Sequence, residues 1–556
     1  MTEPLANHWD SHAEEYDVVI IGSGYGGAIT AARLATANIT PKRRICILER
    51  GMEGIPGTFP DEPLDVLQHF LSPLNPLGLY EFARYNEISV IKGSGLGGTS
   101  LVNANVAIIP EDAVFNRAPW PAAIKMNALR EFYQKAANTL EISEHPRGAD
   151  LLKIKALKKR GDQDPVRKFE LLKLAVNFTR DGVDENGVER HPCIDCGDCV
   201  TGCNVRAKNT LYMNYLPIAK NHGVEIFTQV RVLYLEKLAA GGYRIHYERY
   251  APRNPIPEAG VLRARQIVVL SAGSLGSTEI MLRSREHGLQ LPNTLGIRFS
   301  GNGDFFGIAY NSDQRTDIMG FGNHLDDPVR SAVKAGPTIV GVIRYNLTKP
   351  LDQQMTFEDL SVPRAGVEAA RRVLALLPGT DTDNRPILDW PDNLEEMRRV
   401  ARDLQFDARG ALNHTMAYLI MSDDGAKGTM SLKDDRLWID WSKAGDQPIF
   451  KQIDKEVLAH AKALGAKFIG NPVWSFLQLH HLITAHPLGG CPMGDSHATG
   501  LVDDLGRVFD PNGAKHNGLY IADGSIIPTA LGVNPFLTIS ALCERIADHL
   551  IQQLRQ

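Results

Sequence analysis

The most regular hydrophobic pattern of the chain lies near its start. Residues 18–21 are four branched apolar residues in a row, which predicts a strand buried in a parallel sheet. A segment of helical composition follows at residues 28–35, and the apolar run 44–48 predicts a second strand. The run 267–270 predicts another buried strand, followed by a glycine turn and a helix. The sheet that begins with residues 18–21 is therefore expected to gain a further strand from a segment far along the chain.

The middle of the chain has a different pattern. Strand-like runs at 230–235 and 243–249 predict a hairpin. Residues 300–480 combine strand-like runs (338–345, 416–421 and 437–441) with a charged helical segment at 392–407. Residues 51–90 have few periodic signals and are expected to be a long connection or a cover over the nucleotide domain. The chain is thus predicted to be an α/β protein. We expect a Rossmann-like nucleotide domain built from discontinuous segments (1–140, 200–300 and 480–556), a sheet-based substrate domain (300–480) and a basic, cysteine-rich insertion (141–199).

A glycine fingerprint follows the first strand. Gly22, Gly24 and Gly27 form the pattern G-x-G-x-x-G where strand meets helix. Gly22 allows the tight turn, Gly24 lets the backbone approach a pyrophosphate, and Gly27 lets helix and strand pack closely. Glu49 ends the second strand and is expected to bind ribose hydroxyls. A glycine-rich turn without a ligand is the alternative, but the whole order of elements favours a dinucleotide, either FAD or NAD.

A second glycine-rich stretch occupies residues 93–103. It does not follow a long apolar strand, so it is not expected to be another mononucleotide fold. Glycine is needed where backbone closely approaches a flat ligand. A plain turn is the alternative, and the first fingerprint makes a flavin contact the favoured interpretation.

Composition and charge narrow the function classes. The chain has 556 residues and a formal net charge of −5, which does not suggest nucleic-acid binding. No apolar run is long enough to span a bilayer, and residues 1–15 lack a secretory signal, so a cytoplasmic location is expected. Basic residues crowd the segment 151–173. We expect a solvated helix face there, with a docking surface for an acidic partner as the alternative.

Four of the seven cysteines follow the spacing C-x2-C-x2-C-x3-C: Cys193, Cys196, Cys199 and Cys203. This spacing matches the bacterial ferredoxin run, in which thiolates hold iron–sulfur clusters. Asn204 stands where that run has proline, and the chain has no second run. Zinc bound by four thiolates and a compact loop of buried, reduced thiols are the alternatives.

The last part of the chain holds the candidate chemistry. His486 stands in the turn sequence His-Pro-Leu-Gly-Gly-Cys and not on an apolar helix face, which favours a functional role over a core histidine. Asp523 and Gly524 follow the apolar run 519–522, and Asn534 lies in the segment Gly-Val-Asn-Pro-Phe.

With these motifs the chain resembles the glucose–methanol–choline (GMC) oxidoreductases, which are FAD-dependent alcohol-oxidising enzymes. It is most similar to their cholesterol oxidase branch, which binds FAD non-covalently. The resemblance rests on GSGYGG (22–27), GSGLGGTSLVN (93–103), SAGSLGSTE (271–279), HPLGGC (486–491) and the segment 521–539, which together span almost the whole chain in the family's order. The cysteine-rich run also occurs in GMC-like relatives with unsettled substrates, whereas typical cholesterol oxidases lack it.

The resemblance implies the residues of the site. His486 matches the active-site histidine, Asn534 matches the asparagine paired with it, and Glu358 falls where cholesterol oxidase keeps its active-site glutamate. A solvated pair of Glu358 and Asp359 at a strand end is the alternative. The resemblance places the following residues around the FAD: Gly22, Gly24, Tyr25, Gly26, Gly27, Glu49, Gly98, Asn103, Val232, Asp523, Gly524 and Phe536.

The resemblance also implies a reaction. A small-molecule alcohol, such as a sterol or another bulky hydrophobic alcohol, would lose a hydride to FAD, and O2 or another acceptor would take the electrons. The first alternative is a flavin dehydrogenase that passes electrons to a protein or quinone acceptor through an iron–sulfur cluster at the cysteine run. The second alternative is a non-catalytic FAD-binding protein.

Overall fold

The computed structural model describes residues 4–161, 166–251, 256–324, 332–383, 390–405, 407–475 and 479–556. Its α-helices are α1 (Tyr25–Thr36), α2 (Pro63–Gln68), α3 (Asp112–Asn116), α4 (Met126–Thr139), α5 (Leu152–Gly161), α6 (Tyr215–Asn221), α7 (Gly273–Glu286), α8 (Arg364–Leu376), α9 (Trp390–Asp403), α10 (Pro448–Leu464), α11 (Pro472–Ser475) and α12 (Phe536–Arg555). None of these described helices is both long and apolar enough to cross a membrane.

The strands fall into two main sheets and several short ribbons. They are β1 (Glu15–Ile21), β2 (Ile45–Leu48), β3 (Tyr80–Arg84), β4 (Ile88–Gly93), β5 (Ser143–Glu144), β6 (Arg167–Leu171), β7 (Lys173–Leu174), β8 (Gly182–Val183), β9 (Glu189–Arg190), β10 (Glu225–Phe227), β11 (Val230–Lys237), β12 (Tyr243–Arg249), β13 (Glu258–Leu270), β14 (Phe305–Tyr310), β15 (Gly341–Tyr345), β16 (Met355–Leu360), β17 (Thr380–Asp381), β18 (Met416–Ser422), β19 (Thr429–Lys433), β20 (Arg436–Asp440), β21 (Lys467–Ile469), β22 (Leu482–Thr484), β23 (Arg507–Phe509) and β24 (Lys515–Ile521).

The first main sheet carries the nucleotide motifs. Strands β10, β2, β1, β13 and β24 run parallel in that spatial order. The residues of β1 from Tyr16 to Ile21 are buried, as expected for a strand that helices cover on both faces. The 13-residue β13 also pairs along its first half with β12, and β12 pairs with β11 as the predicted antiparallel hairpin. This sheet and its helices confirm the predicted α/β class.

Four helices pack together beside this sheet, where α1 contacts β1 and β2. Helix α12 packs on α1 and α4, and α1 also packs on α6. The side chains of Phe536, Cys543, Ala547, Leu550 and Leu554 recur along one buried face of α12 with the spacing of an amphipathic helix. This packing joins the two ends of the chain in one core, which places the glycine turn before α1 close to the segment before α12.

The second main sheet is antiparallel. Its order is β17-β21-β14-β18-β16-β15-β6. Helices α5 and α10 pack against it, and α10 begins with Pro448 at its first turn and ends at Gly465, which has a φ of 57°. The sheet includes β6, which the sequence analysis placed in the basic insertion; the domain boundaries themselves stay a prediction.

Two local expectations were incomplete. Residues 51–90 contain α2 and β3 and the start of β4, and these two strands form a small sheet with β22. The basic segment is not simply a solvated helix face, because Lys153 on α5 is fully buried. The Lys153 ammonium lies 2.9 Å from the Asp359 carboxylate on β16 and donates hydrogen bonds to the carbonyl of Pro337 and the hydroxyl of Ser361.

Candidate active site

The predicted nucleotide motifs meet at the carboxyl ends of the parallel strands. The amide of Ser271, after β13, donates to the carbonyl of Ile21 at 2.7 Å, and the amide of Ala522, after β24, donates to Leu270 at 2.8 Å. The turns that follow β1, β13 and β24 therefore lie side by side. In open α/β sheets this edge is where ligands bind.

The glycines of the first turn have two different roles. Gly22 has a φ of +94°, and a Cβ on it would lie 2.4 Å from the carbonyl oxygen of Ser271. A Cβ on Gly26 would lie 1.5 Å from the carbonyl oxygen of Ala522, and one on Gly27 would lie 2.0 Å from that of Gly22. These three glycines are required by the protein's own packing. A Cβ on Gly24 would meet only the Ser271 oxygen, at 3.9 Å, so this glycine borders open space.

Glu49 lies beside this turn and is almost fully buried. Its carboxylate accepts hydrogen bonds from the amide and hydroxyl of Ser23, at 3.0 and 2.6 Å, and from the amide of Gly51 at 2.8 Å. A carboxylate offers about four lone-pair positions, so one remains for a ribose hydroxyl. The amide of Val230 donates to the Glu49 carbonyl at 2.8 Å, which brings the start of β11, with Val232 two residues further, next to Glu49.

The second glycine-rich stretch packs directly on the first. A Cβ on Gly98 would lie 2.8 Å from the Cα of Gly24. The amide group of Asn103 donates to the hydroxyl of Tyr25 at 2.8 Å, and the Tyr25 ring stacks on Phe536 with ring centroids 5.2 Å apart. The side-chain oxygen of Asn103 is buried without a hydrogen-bond partner, although buried polar atoms are normally paired. This oxygen fits a site whose ligand supplies the missing donor.

Asp523 ties the third turn together. One of its oxygens accepts from the amide and hydroxyl of Ser525, and the other accepts from the amide of Gly273 and the hydroxyl of Ser277. Burial raises the pKa of Asp523 above the usual carboxyl range. Gly524, the next residue, accepts from the amide of Gly489 at 3.1 Å. This hydrogen bond links the turn after β24, at the edge of the parallel sheet, to the turn that carries His486.

His486 follows β22 and is partly buried, with 15% of its side chain exposed. Its Nδ1 lies 2.8 Å from a carboxylate oxygen of Asp304, a residue that the sequence analysis did not identify. No partner for Nε2 occurs among the described residues. The imidazole is therefore fixed on one side and open on the other.

Glu358 and Asn534 form a buried pair. The Asn534 amide group donates to Glu358 at 3.2 Å, and Glu358 is fully buried, which excludes the solvated alternative for Glu358 and Asp359. Burial, together with the nearby Asp359 and Asp304 carboxylates, raises the pKa of Glu358 well above its usual value. The second oxygen of Glu358 and the side-chain oxygen of Asn534 are buried without partners. The Asn534 oxygen can accept from a ligand's hydroxyl or N–H group, and the free oxygen of Glu358 can donate when the acid is neutral or accept when it is ionised.

One short loop, Ser300 to Asp304, contacts both candidate catalytic segments. The Asn302 amide group donates to the carbonyl of Val533 at 2.9 Å, and its oxygen accepts from the amides of Leu531 and Gly532. Asp304, two residues further, contacts His486. The sequence signal for this loop is the run Ser-Gly-Asn-Gly-Asp before a strand, a turn-rich composition that does not by itself distinguish a functional loop from an ordinary one.

A cavity opens beside the Asn534 segment. Thr356, Gly532 and Val533 are among its lining residues. Thr356 lies two positions before Glu358 on β16, so the two side chains share a face of the strand. The cavity lies near the pair of Glu358 and Asn534, although neither residue lines it.

The comparison with known proteins agrees with this geometry. Residues 16–290 and 447–543 match the family models described as GMC oxidoreductase. The chain belongs to the GMC oxidoreductases. This confirms the predicted family, its FAD cofactor, and its class as an FAD-dependent alcohol oxidoreductase.

Several GMC relatives are similar over most of this chain. A cholesterol oxidase of Acinetobacter baumannii is 25% identical, with 96% of this chain and 94% of the relative covered. A cholesterol oxidase of Mycobacterium tuberculosis is 26% identical, with 96% and 91% covered. The long-chain-alcohol oxidase FAO4B of Arabidopsis thaliana is 25% identical, with 97% of this chain and 68% of the relative covered.

The cysteine run lies beside the second glycine-rich stretch, to which Lys208 links it, and beside the segment before β15, where Cys196 pairs with Gly336. The buried Lys208 ammonium donates to the carbonyls of Cys199 and Asn103, and Thr338 donates to the carbonyl of Gly197. Burial and the neighbouring thiols raise the pKa of Cys193 and Cys196 well above the usual thiol range. Within the described residues no three of these sulfurs lie within 4.8 Å of one another, so the thiols do not form a ready single-ion zinc site.

Proposed function

We propose that this GMC oxidoreductase oxidises a sterol or another bulky hydrophobic alcohol at a site formed by His486, Asn534 and Glu358. The observation that carries the proposal is the His486 imidazole, whose Nδ1 is held by a buried carboxylate while Nε2 remains open. The relatives named as cholesterol and long-chain-alcohol oxidases support the substrate class.

The residues around the first and second glycine-rich stretches would hold FAD. Gly24 leaves space for the pyrophosphate, and the Glu49 carboxylate has a lone pair free for a ribose hydroxyl. The side-chain oxygen of Asn103, which has no hydrogen-bond partner in the protein, can accept a hydrogen bond from the cofactor. When bound, FAD supplies the oxidant, because it accepts the hydride that leaves the carbinol carbon and so takes up two electrons.

Side chains of the protein accept the hydroxyl proton of the alcohol and orient the reacting groups. Nε2 of His486 accepts the hydroxyl proton as the alcohol becomes a carbonyl compound, a contribution of about 10²–10⁴-fold for a well-placed base. Asn534 orients the hydroxyl or the flavin edge, because its second amide N–H can donate to the hydroxyl oxygen and its free oxygen can accept from a donor on the flavin. Burial raises the pKa of Glu358, so its ionised form is a stronger base; in that form it can take a proton from one carbon of a steroid product and return it to another, which moves the double bond.

Absorbance of the purified holoenzyme under anaerobic conditions tests this proposal. A 3β-hydroxysteroid should bleach the flavin, and air should restore the colour if O2 is the acceptor. A long-chain primary alcohol is tested in the same way, as a hydrophobic alcohol that is not a sterol. Failure of both alcohols to bleach a fully FAD-loaded protein would refute the proposed substrate class while leaving the family assignment intact.

The alternative function is a dehydrogenase with an iron–sulfur cluster at Cys193, Cys196, Cys199 and Cys203. The observation in its favour is the buried contact through Lys208, which joins the cysteine run to the backbone of Asn103. This alternative expects iron and acid-labile sulfide in anaerobically purified protein, loss of both in Cys196→Ser, and bleaching by the alcohol without rapid recovery in air. Protein free of iron and sulfide that reoxidises rapidly would exclude it.

A further inference from the structure

The loop Ser300 to Asp304 is unusually well anchored for an irregular segment. Asp424 accepts hydrogen bonds from the Ser300 hydroxyl and from the amides of Gly301 and Gly303, at 2.7 to 3.0 Å. Asn302 clamps the segment before Asn534. The loop therefore presents the Asp304 side chain to His486 from a fixed backbone.

The Asp304 carboxylate has three partners and no exposed surface on its side chain. One oxygen accepts from the Thr484 hydroxyl and the Ala485 amide, both at 2.9 Å. The other oxygen faces Nδ1 of His486 at 2.8 Å. A buried carboxylate is costly unless it is hydrogen-bonded, and it can only accept.

The chemistry of these partners fixes the histidine tautomer. Because an ionised carboxylate has no proton to give, Nδ1 must donate, and Nδ1 therefore carries the ring hydrogen. In a neutral imidazole the other nitrogen is then an acceptor. Nε2 is thus left with a free lone pair on the open side of the ring.

We infer that Asp304 is a positioning residue that holds His486 in the Nδ1–H tautomer, so that Nε2 can accept the proton of the alcohol. The inference rests on the proposed function, in which His486 is the base. Thr484 contacts the same arrangement, because its hydroxyl accepts from the amide of His486 at 2.9 Å and shares its proton between Asp304 and the carbonyl of Gly301, each 2.9 Å away. The Asp304 charge also stabilises the imidazolium that forms when the proton arrives.

Asp304→Asn tests this inference because asparagine keeps the shape of the side chain. Its oxygen can still accept from Thr484 and Ala485, but its amide group then faces Nδ1 and donates to it. The ring must carry its hydrogen on Nε2, which can no longer accept a proton. We expect the FAD content and KM to stay at wild-type values and the rate of anaerobic flavin reduction to fall by about 10²–10⁴-fold.

Two controls separate this role from a structural one. Asp424→Asn loosens the same loop without contacting His486, and we expect a fall in flavin reduction of less than about tenfold. In a His486→Ala background, Asp304→Asn should change the rate by no more than about twofold, since residues that act through one another are not additive. If Asp304→Asn fails to fold, ¹⁵N chemical shifts of the His486 ring in the wild type, assigned by comparison with His486→Ala, carry the test: a hydrogen on Nδ1 supports the inference, and a hydrogen on Nε2 would overturn it.

The outcomes distinguish the inference from the proposed function. Equal falls in Asp304→Asn and Asp424→Asn, or full additivity of Asp304→Asn with His486→Ala, would overturn the positioning role and leave His486 as the base. Wild-type flavin reduction in His486→Ala would overturn the proposed function itself, whatever Asp304→Asn does.

Discussion

Replacing Gly24 by alanine tests the cofactor site with a single methyl group. Gly24 has a φ of −65° and a ψ of −169°, which alanine adopts without strain. The added Cβ would meet one protein atom within 4 Å, the Ser271 oxygen at 3.9 Å, so the FAD-free fold should be unaffected. The methyl instead enters the open space where the pyrophosphate is expected.

The cost follows from overpacking. An extra methyl group in a filled site costs about 1–3 kcal/mol. Each 1.4 kcal/mol is tenfold in affinity, so the FAD dissociation constant should rise by about 5- to 150-fold. FAD should then stabilise the variant less than the wild type against heat, because ligand stabilisation grows with the ratio of ligand concentration to dissociation constant.

Gly26→Ala is the matched control. Its Cβ would lie 1.5 Å from the Ala522 carbonyl oxygen, so the protein itself must shift and lose stability without FAD as well as with it. Calorimetric unfolding with and without FAD, together with FAD titration, separates the two effects. Wild-type FAD affinity in Gly24→Ala, or equal loss of FAD-free stability in both variants, would refute the assignment of this turn to the pyrophosphate.

Two further predictions concern buried charge. Lys153→Met leaves the Asp359 carboxylate buried without its lysine partner and should lower the free energy of unfolding by about 3–5 kcal/mol in denaturant titrations. The control Lys155→Met, at an exposed position of the same helix, should change the free energy of unfolding by less than about 0.5 kcal/mol. Equal effects of the two substitutions would contradict the buried pair. Because the pKa of Glu358 is raised, its side chain in the folded state keeps a proton that the unfolded state loses, so the contribution of Glu358 to wild-type stability falls as pH rises above the unfolded-state pKa of about 4.3. Glu358→Gln should remove that contribution, so the thermal stability of the variant relative to wild type should increase from about pH 5 to about pH 8. A stability difference that does not change with pH would argue against a neutral Glu358. The same variant should still bleach the flavin but lose any double-bond isomerisation of a steroid product.

The sequence predicted best those features that depend on neighbouring residues. Strand β1 and the glycine turn after it were predictable because an uninterrupted apolar run and a G-x-G-x-x-G pattern are local signals. Strands β3 and β4 were missed because their hairpin is stabilised by pairing with β22, which is remote in sequence. Tertiary pairing of this kind overrides weak local preference.

The candidate site was predictable only in part. His486, Asn534 and Glu358 were found through the family resemblance, and their roles stay predictions. Asp304 was missed because its contact with His486 joins residues 182 positions apart. Lys153 was misjudged for a similar reason, since a lysine in a basic run is usually solvated and only the opposing Asp359 reveals its burial.

Anaerobic flavin reduction in His486→Ala tests the central claim most directly. The variant should be purified with its FAD content measured, mixed with an alcohol that bleaches the wild type, and followed by stopped-flow absorbance. We predict full FAD occupancy and a rate of reduction lower by about 10²–10⁴-fold, because the hydroxyl proton has lost its acceptor. Reduction at the wild-type rate in a fully FAD-loaded variant would remove His486 from the reaction and contradict the account.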